Sequence, residues 1–149
     1  MEIEKSKLRE KIEKLYFECD FDAIGKLPGF TIIERRVFLR DRKNKYACVG
    51  WVFERNEESA QRYANSIVFG KMPYGFTEVE KPSKGDFVNY LTSEVSFGCT
   101  LDYEPRHLGI YVGNNRVRSK FAEGHVYEHD ISSVPLWYGD KVTFFRKIK

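Results

Sequence analysis

Hydrophobic and polar positions repeat with two different periods along this chain, and the change of period divides it in two. Between residues 3 and 18, Ile3, Leu8, Ile12, Leu15 and Tyr16 stand at mostly three- to five-residue gaps in a charged background, and Phe17 widens the same face. This spacing predicts an amphipathic helix. "GKLPGF", residues 25 to 30, reads as a turn, and "TIIERRVFLR" is rich in strand-forming residues. Cys48, Trp51 and Val52 return to helical spacing, and "EESAQRYANSI" is built of good helix formers, so one or two helices are expected between residues 48 and 68. "GKMPYGF" (70 to 76) and "KPSKGD" (81 to 86) are turns. Beyond them the runs become short and β-like: "FVNYL", "HLGIYVG", "RVRSKF", "HVYEHDI" and "KVTFFRKI", with "GNN" as a hairpin signal. Helices followed by an antiparallel sheet make an α+β domain. There is no internal repeat and no low-complexity linker.

At 149 residues, 42% hydrophobic and 15% aromatic, the chain can bury the core of a single domain, 1–149, with a helix and lead-in over 1–45 and the main body over 46–149. The formal charge is only +3, with 32% charged residues of both signs interspersed. The basic run "ERRVFLRDRKNK" is read as a solvated face, and no specific nucleic-acid partner is expected. No apolar run approaches the roughly 20 residues needed to span a membrane. The charged N-terminus lacks the apolar core of a signal peptide, so a cytoplasmic location and no membrane partner are expected. The cysteines, Cys19, Cys48 and Cys99, are odd in number and show no Cys-x-x-Cys spacing, which argues against a disulfide framework or a four-cysteine zinc site.

The candidate chemistry starts at His107, one of three histidines, which opens the β-like run "HLGIYVG". A base there needs a nucleophile. Cys48 is the best placed, because it follows the turn-prone "RDRKNK" and precedes a plausible helix. The positive end of a helix dipole lowers a thiol pKa, and the cysteine's own N–H could face an oxyanion. Cys19, ending a charged helix, and Cys99, in "FGCT", lack that setting. The plainer alternative is a buried cysteine and a strand histidine.

Three segments together resemble the papain-like superfamily, in particular the NlpC-type cysteine peptidases and amidases. "ACVGWVFE" is similar to that family's cysteine opening a helix, "EKPSKGDFVNYL" to its Gly-Asp-aliphatic strand start, and "HLGIYVGNNRVRS" to its histidine strand, turn and returning strand. The likeness covers about residues 46 to 120, and the last two motifs are the more specific. It implies a papain-like α+β fold, with N-terminal helices packed on an antiparallel sheet of five to six strands. It implies Cys48 as nucleophile, His107 as base and Ser119 as the third, orienting residue. In this family the third residue is more often His, Asn, Gln or an acid; serine brings no charge. Ala47 stands where many cell-wall members have Asp. Cysteine before histidine argues against the permuted lecithin:retinol acyltransferase-like branch.

The expected activity is therefore hydrolysis of an amide or peptide bond through a thioester, on a peptidoglycan-like substrate or a protein side chain, with no cofactor and no metal. The alternatives are an acyl or amide transferase on the same scaffold and a non-catalytic binding module whose basic stretch meets an acidic partner. His125 and His129 are four apart, but on a strand and without a third ligand, so they are not read as a metal pair. Asp86 is read as a turn or cap residue, and Trp51, Tyr90, Tyr111, Trp137 and Tyr138 as core or cleft wall.

Overall fold

The computed structural model describes residues 1–35, 75–92, 104–122 and 124–148. Helix α1 spans Lys7–Phe17 and a short helix α2 spans Phe21–Gly25. Seven strands follow: β1 Thr31–Glu34, β2 Phe76–Val79, β3 Phe87–Thr92, β4 Glu104–Gly113, β5 Arg116–Lys120, β6 Val126–Asp130 and β7 Lys141–Lys147. A single 3₁₀ turn, Leu136–Tyr138, lies between β6 and β7. The strands form one sheet in the order β1-β6-β5-β4-β3-β7-β2, and every pairing is antiparallel. The α+β reading holds. The expected five to six strands become seven among the described residues, because Phe76–Val79, of which only Phe76 falls in an expected turn and the rest had no assignment, pairs with the far end of β7. The helices expected between residues 48 and 68 lie outside the described residues. No described helix is long and apolar enough to cross a membrane.

The chain's local chemistry explains the elements. Ser6 caps α1 by accepting from the Arg9 N–H at 3.2 Å, and Asp20 caps α2 by accepting from Ala23 N–H at 3.3 Å. Ile12 is fully buried, with Leu8, Leu15 and Tyr16 packed against the same core, whereas Phe17 is 65% exposed. At the "GNN" turn, Asn114 and Asn115 both have positive φ, 52° and 58°, as a two-residue hairpin turn matching strand twist requires.

Register places His107, Gly109 and Tyr111 of β4 on one face of the sheet, with Tyr90 and Val88 of β3 beside them. Val117 and Ser119 of β5, and Tyr127 and His129 of β6, continue that face. This face carries the main core, where Tyr90, Val117 and Tyr127 pack with Ile12 of α1, Ile24 of α2 and Tyr138 of the 3₁₀ turn.

Helix α1 is tied to the far end of the chain by one buried cation. Arg9 is 2% exposed. Its guanidinium donates to the carbonyls of Val134 (3.1 Å), Pro135 (3.2 Å) and Gly139 (2.6 Å), and to that of Glu4 (3.3 Å). A buried charge is tolerated only when its donors are satisfied, and here backbone dipoles do this. Gly139, at φ 100°, closes the same segment, and a Cβ there would fall on the Leu91 carbonyl. Replacing Arg9 with Met strands the buried carbonyls of Val134, Pro135 and Gly139. We expect Arg9→Met to lower unfolding free energy by about 3 kcal/mol in urea titrations, with Arg9→Lys recovering only part. A loss indistinguishable from an exposed arginine on α1 would contradict this assignment.

Candidate active site

His107 lies near the middle of the sheet on its helix-covered face, paired with Tyr90 across β3 and β4. It is 4% exposed and enclosed by rings. Tyr138 stacks on it at 4.1 Å between centroids and 15° between planes. Phe121 meets it edge-on at 5.7 Å, and Tyr90 lies tilted at 5.5 Å. Its Nε2 is buried and makes no hydrogen bond among the described residues. Burial, with a smaller contribution from His129, holds the His107 pKa well below the ordinary imidazole range, so the ring is neutral at pH 7.

Two residues on, Gly109 keeps the neighbouring strand close. A Cβ there would lie 2.6 Å from Val117 Cγ1 and 3.0 Å from both Ser119 Cβ and the Arg118 carbonyl. The glycine of "HLGIY" is thus a packing requirement of the β4–β5 contact.

Ser119 is fully buried on the same face, but its hydroxyl is engaged elsewhere than expected. Its Oγ lies 2.8 Å from His129 Nε2, and His129 Nδ1 lies 2.7 Å from the Asp130 carbonyl. A carbonyl can only accept, so Nδ1 carries the proton, Nε2 accepts, and the Ser119 hydroxyl donates. The expected orienting bond from Ser119 to His107 is therefore not formed. His129 had no role in the sequence reading; it is fully buried, stacked on Phe30 at 5.5 Å, and burial lowers its pKa to about 4.

The other candidates are placed as follows. Cys48 and Cys99, like Trp51, lie outside the described residues; Cys19 is exposed after α1. Asp86 accepts from the Ser83 N–H at 2.7 Å and from Arg146 through both carboxylate oxygens (2.9 and 2.8 Å). It is the turn-capping residue expected, and these partners, Arg146 first, lower its pKa. His125 Nε2 lies 2.7 Å from Asp22 Oδ1, joining the β6 approach to α2, so the two histidines serve separate contacts. Tyr90 donates to the Ile131 carbonyl at 2.7 Å, and Tyr111 accepts from the Asn115 N–H at 3.0 Å; both act as core. Trp137 is 37% exposed, with the Arg106 guanidinium 5.0 Å from its ring centroid. Tyr138 and Arg9 matter most among residues the sequence reading left without a specific role. Their signals were an aromatic pair framed by Pro and Gly in "VPLWYGD", and an arginine in helical phase with Ile12.

The chain matches no protein-family model and no curated protein.

The buried histidines make stability pH-dependent. Each has a folded pKa below its unfolded value, so protonation favours the unfolded chain. The stabilisation is complete above about pH 6.5 and falls as pH drops toward the folded pKa. For His129, with a folded pKa of about 4, the loss amounts to about 3 kcal/mol between pH 6.5 and 4. Urea unfolding across that window should show a rising ΔG with pH, and the paired change Ser119→Ala with His129→Phe should flatten the slope by about one proton. An unchanged slope would show that His129 is not held neutral.

Proposed function

We propose that the chain is a papain-like cysteine hydrolase acting on amide or peptide bonds, with Cys48 as nucleophile and His107 as base. The observation that carries this reading is the setting of His107. It is a neutral, desolvated imidazole at the sheet centre, on the face that packs against helices, with a buried Nε2 that makes no hydrogen bond among the described residues. Such a ring can take a proton, but burial makes the imidazolium costly unless an anion forms beside it. A thiolate generated by that same transfer is such an anion.

In this mechanism His107 accepts the Cys48 thiol proton and the sulfur attacks the carbonyl carbon. The backbone N–H of Cys48 serves the oxyanion. As the C–N bond breaks, the proton on His107 passes to the leaving amine. Water, giving a proton to His107, then attacks the thioester, and the acid and thiol are regenerated. An amine in place of water makes the same cycle a transferase. The order of helices followed by an antiparallel sheet, with the histidine strand and its hairpin at the centre, supports the papain-like assignment.

A second reading has its own support. The Ser119 hydroxyl is committed to His129, which removes the hydrogen-bonded orienter a Cys-His enzyme ordinarily uses. That favours a non-catalytic binding module on the same scaffold.

The deciding measurement is the iodoacetamide rate of each cysteine against pH, by mass spectrometry, for wild type, His107→Ala and His107→Gln. The enzyme reading expects Cys48 to react fastest, with an apparent pKa well below about 8.5, and to slow at pH 7 by about tenfold or more without His107. A Cys48 no faster than Cys19, or indifferent to His107, leaves the binding module.

A further inference from the structure

We propose that Tyr138 is the positioning residue of His107, its ring holding the imidazole in one plane in the role the sequence resemblance gives to Ser119. The catalytic meaning of this inference rests on the Cys48–His107 reading; the geometry behind it does not.

The hydrogen bond expected to orient the imidazole, from Ser119, is not made. Ser119 is bonded to His129, and His107 Nε2 makes no hydrogen bond among the described residues. Histidine χ2 is a broad torsion, so the rings packed against the imidazole restrict its plane. That packing is specific. Tyr138 covers one face at 4.1 Å and 15°, while Phe121 presents an edge at 88° and Tyr90 a tilted ring at 46°. Rotating the imidazole about χ2 by anything short of a half-turn would turn it out of the plane parallel to Tyr138.

Tyr138 can impose this plane because it is itself fixed. It is 1% exposed, and its backbone N–H donates to the Pro135 carbonyl at 3.1 Å. The carbonyls on either side, of Val134, Pro135 and Gly139, are all bonded to the buried Arg9 guanidinium. Gly139 supplies the backbone conformation that brings the segment against Leu91. The order of dependence is therefore Arg9, the 134–139 segment, Tyr138, then His107.

The stack also has an electrostatic effect. A phenol ring's negative face attracts an imidazolium more than a neutral imidazole. Among the described residues the titratable groups facing His107 are Tyr90, Tyr138 and His129. Burial raises the Tyr90 pKa and keeps His129 neutral, so neither brings a negative charge at pH 7. Tyr138 thus orients the base and favours the protonated form that burial opposes.

The test uses the full chain with ¹³C,¹⁵N-labelled histidine, comparing wild type, Tyr138→Phe and Tyr138→Met, with His107→Gln for assignment and thermal melts as the folding control. In wild type, His107 should give one set of ring signals displaced upfield by the stacked ring. Tyr138→Phe should keep them and leave Cys48 alkylation at pH 7 within about twofold, whereas Tyr138→Met should lose the displacement, broaden or split the signals, and slow alkylation about tenfold. His107 signals equally sharp and equally placed in Tyr138→Met would overturn the proposal. So would a wild-type His107 without the upfield displacement, which needs no variant to fold. If His107→Gln leaves Cys48 alkylation unchanged while the His107 signals follow position 138, the stack stands and the cysteine chemistry falls.

Discussion

The buried Arg9 guanidinium is the interaction on which the candidate site depends. It is a full charge placed under the sheet, and its buried partners are backbone carbonyls of one short segment. Because those carbonyls belong to residues 134–139, satisfying the charge also fixes the path of the chain between β6 and β7. The 3₁₀ turn that results puts Tyr138 against His107. A hydrophobic residue at position 9 could fill the same space but could not choose among backbone paths. The directional demand of five N–H donors makes the segment specific.

Two histidines on one sheet face are buried by different physical means. His129 has both ring nitrogens bonded, one to a hydroxyl and one to a carbonyl, so its neutral tautomer is fixed. His107 is enclosed by rings and its Nε2 has no hydrogen-bond partner among the described residues. An unbonded polar atom in a packed interior is destabilising, and in a native structure it calls for an explanation, a catalytic role among them. Structural duty accounts fully for His129. It does not account for His107, and this difference directs the functional reading to β4 rather than β6.

The sequence carried the strands from β3 to β7 well, because their alternation is period two and their boundaries are marked by Gly, Asn, Pro and Asp. The hairpin was equally legible, since Asn at positive φ is a local property of the turn. Phe76–Val79 was not. Four residues after a glycine turn carry too little alternation, and the strand's existence depends on β7, some seventy positions away. The site was legible in part. A histidine opening "HLGIYVG" was identified, but the partner of Ser119 was not. Twelve residues separate Ser119 from His107 and ten separate it from His129, and both lie on its face of the sheet. Only three-dimensional register decides between them. Arg9 was illegible for a related reason: a charged residue on an amphipathic helix reads as solvated until its partners arrive from the other end of the chain.

On the proposed reading, substituting ring packing for a hydrogen bond changes what kind of base His107 can be. An orienting carboxylate or amide fixes the imidazole and also stabilises its cation. A stacked phenol ring fixes the plane as firmly, but its attraction for the cation is weaker, of order 1 kcal/mol. Burial meanwhile opposes the cation strongly. A base in this setting has little tendency to be protonated from solvent. It gains a proton only when the proton's departure leaves a negative charge against it. The cost of charging the ring is then met by the ion pair itself, and proton transfer is confined to a donor packed directly against the imidazole. On the proposed reading the aromatic enclosure therefore makes the proton donor beside His107, rather than solvent, the source of its proton.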